Sequence, residues 1–273
     1  MFVETSGIKI NVYVSGNISS STDIIVFLHG FTGSAEDWKD ITQNLDKKYV
    51  SISIDLIGHG KSDSPDEISF YTADSISKQI FDVISQFTNQ KIILLGYSMG
   101  GRAALTFAVK YPEKIKALIL ESTSPGIKDD AEKKQRVESD NNLTQFILTN
   151  PIENFVDKWM NLEIFETQKK LPALKLNELR ARKLLNNKTG LANSLKGFGT
   201  GVMPYLHEQL KDITVPVLLI TGELDKKFTK INSDMAKVLP KAVHSIVNNT
   251  GHNVHLENTS SFISIVNKSL NKF

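Results

Sequence analysis

The sequence predicts an α/β protein: a mostly parallel sheet with helices on both faces, and a helical cap inserted after the sixth strand. Three observations lead there. Short, continuously apolar runs such as Ile24–Leu28 (IIVFL) and residues 92–95 (IILL) have the length of strands buried on both faces. These runs alternate with stretches of helical periodicity, as strand–helix–strand units do. Between residues 127 and 209 the alternation stops, charges become frequent and only helix-like stretches remain.

Taken in order, residues 2–4 and 9–14 alternate apolar and polar side chains like strands with one buried face, and Thr5-Ser6-Gly7 supplies the turn between them. Ile24–Leu28 is a buried strand that runs directly into His29-Gly30-Phe31-Thr32-Gly33. A helix over 34–45 opens with Glu36 and Asp37, where the helix dipole favours carboxylates. Strand 50–55 leaves through the loop from Leu56 to Ser62, and Ile76, Ile80, Val83, Ile84 and Phe87 mark one face of a helix over 75–87. Strand 92–95 breaks at Gly96, passes Tyr97 and Ser98, and resumes after Gly100-Gly101 as a helix (RAALTFAVKY). Ile115–Glu121 is the next strand, with Ser122 to Gly126 as its exit. Helical stretches at 152–159, 174–185 and 189–198 fill the insertion. Strand–helix alternation returns with 215–220, 229–239, 244–247 and 260–270. The expected division is a core of residues 1–126 and 210–273 and a cap of residues 127–209, with Gly126 and the 197–201 segment as candidate hinges because glycine backbones turn freely.

Composition narrows the function classes. The 273 residues carry a net charge of only +2, which gives no broad electrostatic footprint for nucleic acid or a membrane surface. Cysteine is absent, which removes disulfides, thiolate nucleophiles and thiolate metal ligands. The N-terminal stretch lacks the basic start and apolar core of a signal peptide, and no apolar run approaches the ~20 residues that span a bilayer. A cytoplasmic, soluble protein is expected. The six histidines show no metal-ligand spacing, so neither metal nor cofactor is expected. Of the 32 basic residues only Arg102, Arg136, Arg180 and Arg182 are arginines. In so lysine-biased a chain, retained arginines suggest sites where a planar fork for carboxylate or phosphate is wanted.

The chemistry centres on G-Y-S-M-G at residues 96–100. A strand, a sharp turn and a helix with G-x-S-x-G at the corner form a nucleophile elbow, which strains the serine backbone and aims the helix N-terminus at charge developing beside it. Ser98 needs a histidine to take its proton and a carboxylate to orient that histidine. In this chain order the acid follows the strand 215–220, where Asp225 is the candidate and Glu223 the alternative. His252, after Gly251 in the loop beyond the last strand, is the candidate base, with His255 as the alternative at the start of the last helical segment. Oxyanion donors are expected from the backbone N–H groups of Met99 and Phe31. His29 is expected to order the loop that carries Phe31.

These stretches resemble the α/β-hydrolase fold superfamily along essentially the whole chain. More narrowly, the sequence is similar to the 2-succinyl-6-hydroxy-2,4-cyclohexadiene-1-carboxylate synthase family of menaquinone biosynthesis. LHGFTGS (28–34), IDLIGHGKSD (54–63) and TGHNVHLE (250–257) occur widely in the superfamily. LLGYSMGGRAAL (94–105), LILESTSPGIKDDAEKKQR (118–136), GFGTGVMPYL (197–206) and GELDKKF (222–228) carry the narrower likeness. The resemblance implies a lyase that abstracts a proton and eliminates pyruvate from a small polycarboxylate, with Ser98 serving as, or relaying to, the general base. It also implies that Arg102 and Arg136 bind substrate carboxylates, that Tyr97 and Trp159 line the pocket, and that Arg182 or Lys183 adds a late cationic contact from the cap. The alternative within enzymes is a serine carboxylesterase or carbon–carbon hydrolase using Ser98 covalently. A ligand-binding protein of the same fold is a third reading, against which the intact Ser-Asp-His set argues.

Overall fold

The computed structural model describes residues 1–19 and 22–273. Among them, eight strands form one sheet: β1 (Phe2–Thr5), β2 (Ile8–Ser15), β3 (Ile24–Leu28), β4 (Val50–Ile54), β5 (Ile92–Tyr97), β6 (Ile115–Glu121), β7 (Val217–Gly222) and β8 (Ala242–Val247). Their spatial order is β1-β2-β4-β3-β5-β6-β7-β8. β2 pairs antiparallel with β1 and β4, and every other pairing is parallel.

The apolar runs form central strands because both of their faces are covered. Along β3, Ile24, Val26 and Leu28 face one cluster while Ile25 and Phe27 face another. The same alternation continues in β6 and β7, where Leu118, Leu120, Val217 and Leu219 oppose Ile119, Leu218 and Ile220. The helices Ala73–Ser85, Met99–Lys110 and Lys226–Val238 cover the first face. The turn holding Trp38 and the helix Thr259–Leu270 cover the second, with Phe262 and Val266 buried. Each such side chain contributes about 1.5–3 kcal/mol on leaving water.

Several boundaries differ from expectation for local reasons. Strand β5 does not stop at Gly96. It continues to Tyr97, with Gly96 paired to Leu28 and Leu120. Strand β7 starts at Val217 because Pro216 has no N–H, although its carbonyl still accepts from Leu118 N at 3.0 Å. The expected helix over 34–45 is a 3₁₀ turn (Ala35–Trp38) followed by a short helix (Lys39–Gln43). The longest helix, Asp130–Thr149, was not expected. Its buried positions include Asp140 and Thr144 beside Ile147, so no clean apolar stripe marks it in the sequence. It begins where Asp129 accepts a hydrogen bond from Glu132 N at 2.8 Å. With Ile152–Met160, Ala173–Leu184 and Lys188–Phe198 it builds the helical cap between β6 and β7. Among the described residues, no helix is long and apolar enough to cross a membrane.

Candidate active site

The site lies at the C-terminal ends of the parallel strands, where sheets of this kind place their chemistry. Ser98 follows β5 directly, with φ 51° and ψ −107°, a conformation that a side-chain-bearing residue adopts only at a cost of about 1–3 kcal/mol. Close packing holds it there. A Cβ on Gly96 would fall 2.3 Å from the Gly100 carbonyl oxygen, and one on Gly100 would fall 2.2 Å from that of Leu28. Ser98 N donates to the Glu121 carbonyl at 2.8 Å, and Thr123 Oγ1 donates to the Ser98 carbonyl at 2.9 Å.

Neighbouring strand ends bring the acid and the base together. Gly222 at the end of β7 is in register with Val247 at the end of β8. A Cβ on Gly222 would lie 2.2 Å from the Thr250 and Gly251 carbonyl oxygens, so the two exit loops run in contact. Asp225 caps the helix Lys226–Val238, accepting from Phe228 N at 3.2 Å through Oδ1. Its Oδ2 is 2.6 Å from His252 Nδ1, and His252 Nε2 is 3.1 Å from Ser98 Oγ. Rings of Phe228, Tyr97 and Phe165 surround the imidazole at centroid distances of 4.5, 5.4 and 6.2 Å and keep water from it. An Nδ1–H held by the carboxylate leaves Nε2 free to accept the serine proton.

The alternative residues lie elsewhere. Glu223 accepts from Asn249 N at 2.9 Å. His255, in the helix Val254–Glu257, is buried with its Nδ1 2.7 Å from Glu121 Oε2.

Phe31 and Met99 border the same cavity as Ser98. The Gly30–Phe31 peptide is a rigid plane, so fixing its carbonyl also aims its N–H. The Gly30 oxygen accepts from Gly33 N at 3.0 Å and from His29 Nδ1 at 2.8 Å, while His29 Nε2 accepts from Leu56 N at 3.0 Å. That pairing requires a neutral imidazole, consistent with burial lowering the His29 pKa. The IDLIGHG stretch supports this loop from below. Buried Asp55 accepts from Ala35 N, Lys61 N and Asn11 Nδ2 at 2.6–2.8 Å.

Above Ser98 is a cavity of about 170 Å³ whose border includes Arg102, Arg136, Tyr97 and Trp159. It adjoins an outer chamber of about 560 Å³, and both share Arg136 and Lys227. Arg102 lies one helical turn after Ser98, with its guanidinium 5.0 Å from the Phe198 ring centroid and Nη1 donating to the Phe198 carbonyl. Burial pulls its pKa down to about 9, with Arg136 adding to the shift and Asp140 opposing it, so Arg102 stays charged at neutral pH. Arg136 Nε sits 2.9 Å from both oxygens of Asp140. Tyr97 is buried, and its hydroxyl is held neutral by burial and by the nearby Glu121 carboxylate. Trp159 meets Phe31 edge-on at 5.0 Å, and its buried indole N–H has no partner among the described residues.

The family model for the alpha/beta hydrolase fold matches residues 23–259. A Bacillus subtilis (strain 168) protein, provisionally named a 2-succinyl-6-hydroxy-2,4-cyclohexadiene-1-carboxylate synthase, is 41% identical over 92% of this chain and 91% of its own. The chain belongs to this synthase family. An Enterobacter sp. (strain 638) synthase of that name is 31% identical over 87% of both chains. The solved structure of MenH from S. aureus superposes with a TM-score of 0.91 at 34% identity, covering 96% of this chain and 98% of that one.

Against this family background, neither candidate for the late cationic contact borders the Ser98 cavity. Arg182 Nε donates to Asp37 Oδ1 at 3.2 Å, and Lys183 Nζ donates to Thr32 Oγ1 at 2.8 Å. Lys183 borders a separate small cavity behind Phe31, Tyr97 and Phe165. Arg180 pairs with Asp157 on the surface. Sequence reasoning also missed cavity residues. Lys227 and Phe228 were legible as the first turn of a helix capped by Asp225. Phe165 sits in the irregular 3₁₀ stretch Glu163–Lys170, which has no periodic signal.

Proposed function

We propose that this chain converts 2-succinyl-5-enolpyruvyl-6-hydroxy-3-cyclohexene-1-carboxylate into 2-succinyl-6-hydroxy-2,4-cyclohexadiene-1-carboxylate and pyruvate, as a carbon–oxygen lyase with Ser98, His252 and Asp225 as its triad. The observation that carries the reading is the pairing of Ser98 with two guanidinium groups, Arg102 and Arg136, on one small cavity. A simple esterase pocket has no use for two cations, whereas a substrate with three carboxylates does. The 41% identity to a synthase relative supports the same conclusion.

In this mechanism His252 Nε2 accepts the Ser98 proton, and Ser98 Oγ takes the ring proton on C2, beside the succinyl ketone. Electrons from that C–H bond form C2=C3, the C3=C4 double bond moves to C4=C5, and the C5–O bond breaks. Pyruvate leaves as its enolate and takes up one proton, which returns the site to its starting state. Negative charge passing through the ketone oxygen is met by the N–H groups of Phe31 and Met99, and a donor of this kind is worth roughly 10²–10³ in rate. Arg102 and Arg136 hold carboxylates, while Tyr97 and Trp159 shape the walls. Residues 127–209 act as the cap that closes the cavity, over a core of residues 1–126 and 210–273, and the protein works in the cytoplasm without metal or cofactor.

The test is pyruvate release from the enolpyruvyl intermediate, generated in situ by the preceding enzyme, beside a short-chain ester assay. Fast release with feeble ester cleavage is expected, and Ser98→Ala should lower release by roughly 10³-fold or more while the melting curve is retained. No acceleration over spontaneous elimination, together with robust ester turnover, would replace this reading with the serine carboxylesterase.

A further inference from the structure

The basic residue late in the cap reaches a loop of the core and does not border the Ser98 cavity. Lys183 is half-buried at the end of the helix Ala173–Leu184, and among the described residues no carboxylate lies within ion-pairing distance of its ammonium. Asp37, the nearest acid acting on it, is instead bonded to Arg182 and to Ser34 N. What Lys183 Nζ does reach is Thr32 Oγ1, at 2.8 Å. Three residues on, Asn186 Nδ2 donates to the Thr32 carbonyl at 3.0 Å. The hydroxyl and the carbonyl of one loop residue are thus both gripped from the cap.

Thr32 needs such a grip. It is the third residue of the turn closed by Gly33 N on the Gly30 carbonyl, and it sits at φ 65°. Turn positions with positive φ usually carry glycine or asparagine, because a β-branched side chain clashes there. A residue held in such a region persists only where its surroundings over-determine it. Relaxation of Thr32 would draw Gly33 N off the Gly30 carbonyl and so loosen the Gly30–Phe31 plane that carries the Phe31 N–H. Desolvation pulls the Lys183 pKa down to about 8, so the contact is made against a standing cost of burying the charge.

We propose that Lys183 and Asn186 are positioning residues through which the cap holds Thr32 in its left-handed turn and so aims the Phe31 N–H at the developing oxyanion. The inference rests on the reading of that N–H as an oxyanion donor, and it reassigns Lys183 from gripping substrate to building the site. Since residues 183 and 186 belong to the cap and Thr32 to the core, the oxyanion loop is complete only when the cap is seated.

The experiment compares Lys183→Met, Asn186→Ala, Thr32→Val and Thr32→Ser in the full chain, with melting curves as the control for folding. Two activities are read. One is kcat and KM for pyruvate release. The other is the rate at which a fluorophosphonate labels Ser98, a reaction that uses an oxyanion hole whatever the natural substrate is. Lys183→Met, Asn186→Ala and Thr32→Val should each lower kcat and the labelling rate by about tenfold or more, with KM within about twofold. Thr32→Ser, which keeps the hydroxyl, should recover most of both. A raised KM for Lys183→Met with unchanged kcat and labelling would return Lys183 to the substrate and overturn the proposal. Unchanged kinetics in all variants would overturn it as well. If the wild-type chain labels quickly but releases no pyruvate, the lyase reading fails while the labelling comparison still decides the role of Lys183.

Discussion

Arg102 shows how the course of the chain sets the surroundings of one residue. Four residues beyond Ser98, which caps its helix, it borders the same cavity as Ser98, and packing against the Phe198 ring and carbonyl fixes its fork. A lysine at this position keeps the charge but loses the planar, two-pronged donor. A charge-assisted hydrogen bond contributes about 1.5–3 kcal/mol, so Arg102→Lys should lower kcat/KM for pyruvate release by roughly 10- to 100-fold. Thermal midpoints of the two proteins should agree within a few degrees. A large drop in midpoint with little kinetic change would make Arg102 a packing residue. The arginine bias in the composition drew attention to four positions, and two of them border the Ser98 cavity. The other two, Arg180 and Arg182, pair with Asp157 and Asp37, contacts that depend on the three-dimensional course of the cap and leave no trace in spacing.

Elements explain which parts of the molecule could be read in advance. The elbow, the Asp225 loop and the Gly251-His252 loop were legible because each is a strand exit with a local signature, and parallel register brings neighbouring exits together. The helix Asp130–Thr149 was not, because its burial rests on Asp140 and Thr144 and the apolar period is faint. The contact of Lys183 with Thr32 was equally hidden, since a basic residue at a helix end looks the same whether it faces a cavity or a loop. Asp225 joins local structure to chemistry, capping Lys226–Val238 with one oxygen and meeting His252 with the other. The two roles separate by substitution. Asn caps a helix about as well as Asp, whereas Ala at an N-cap costs about 0.5–2 kcal/mol. Asp225→Asn and Asp225→Ala should both lose activity by about 10³-fold or more. Urea denaturation should find the alanine variant the less stable of the two by about that capping increment. Equal stabilities would mean that the cap bond contributes little in the folded protein.

At the scale of the whole molecule, the cap and the core meet through polar groups that are costly to bury, and pH reveals that cost. Lys183 titrates at about 8 in the folded protein against 10.5 when free, because burial penalises its charged form more than Asp37 favours it. Between those values the unfolded chain holds more protons than the folded one, so this group makes stability rise with pH across that window. The contribution is fully present above 10.5 and is lost as pH falls through about 8. Lys183→Met removes the titrating group, so the stability difference between wild type and variant should shift in favour of wild type from pH 8 toward pH 10.5. Chemical denaturation of both proteins at matched pH values measures it. Because all other groups titrate alike in the pair, the difference isolates Lys183, and a flat difference would mean that its ammonium is solvated in the folded state. Wild-type activity above pH 8 adds a second constraint. A neutral Lys183 amine can still donate to Thr32, so the aim of the Phe31 N–H should survive loss of the charge, and kcat should not fall with the Lys183 titration as it would if that charge gripped a carboxylate.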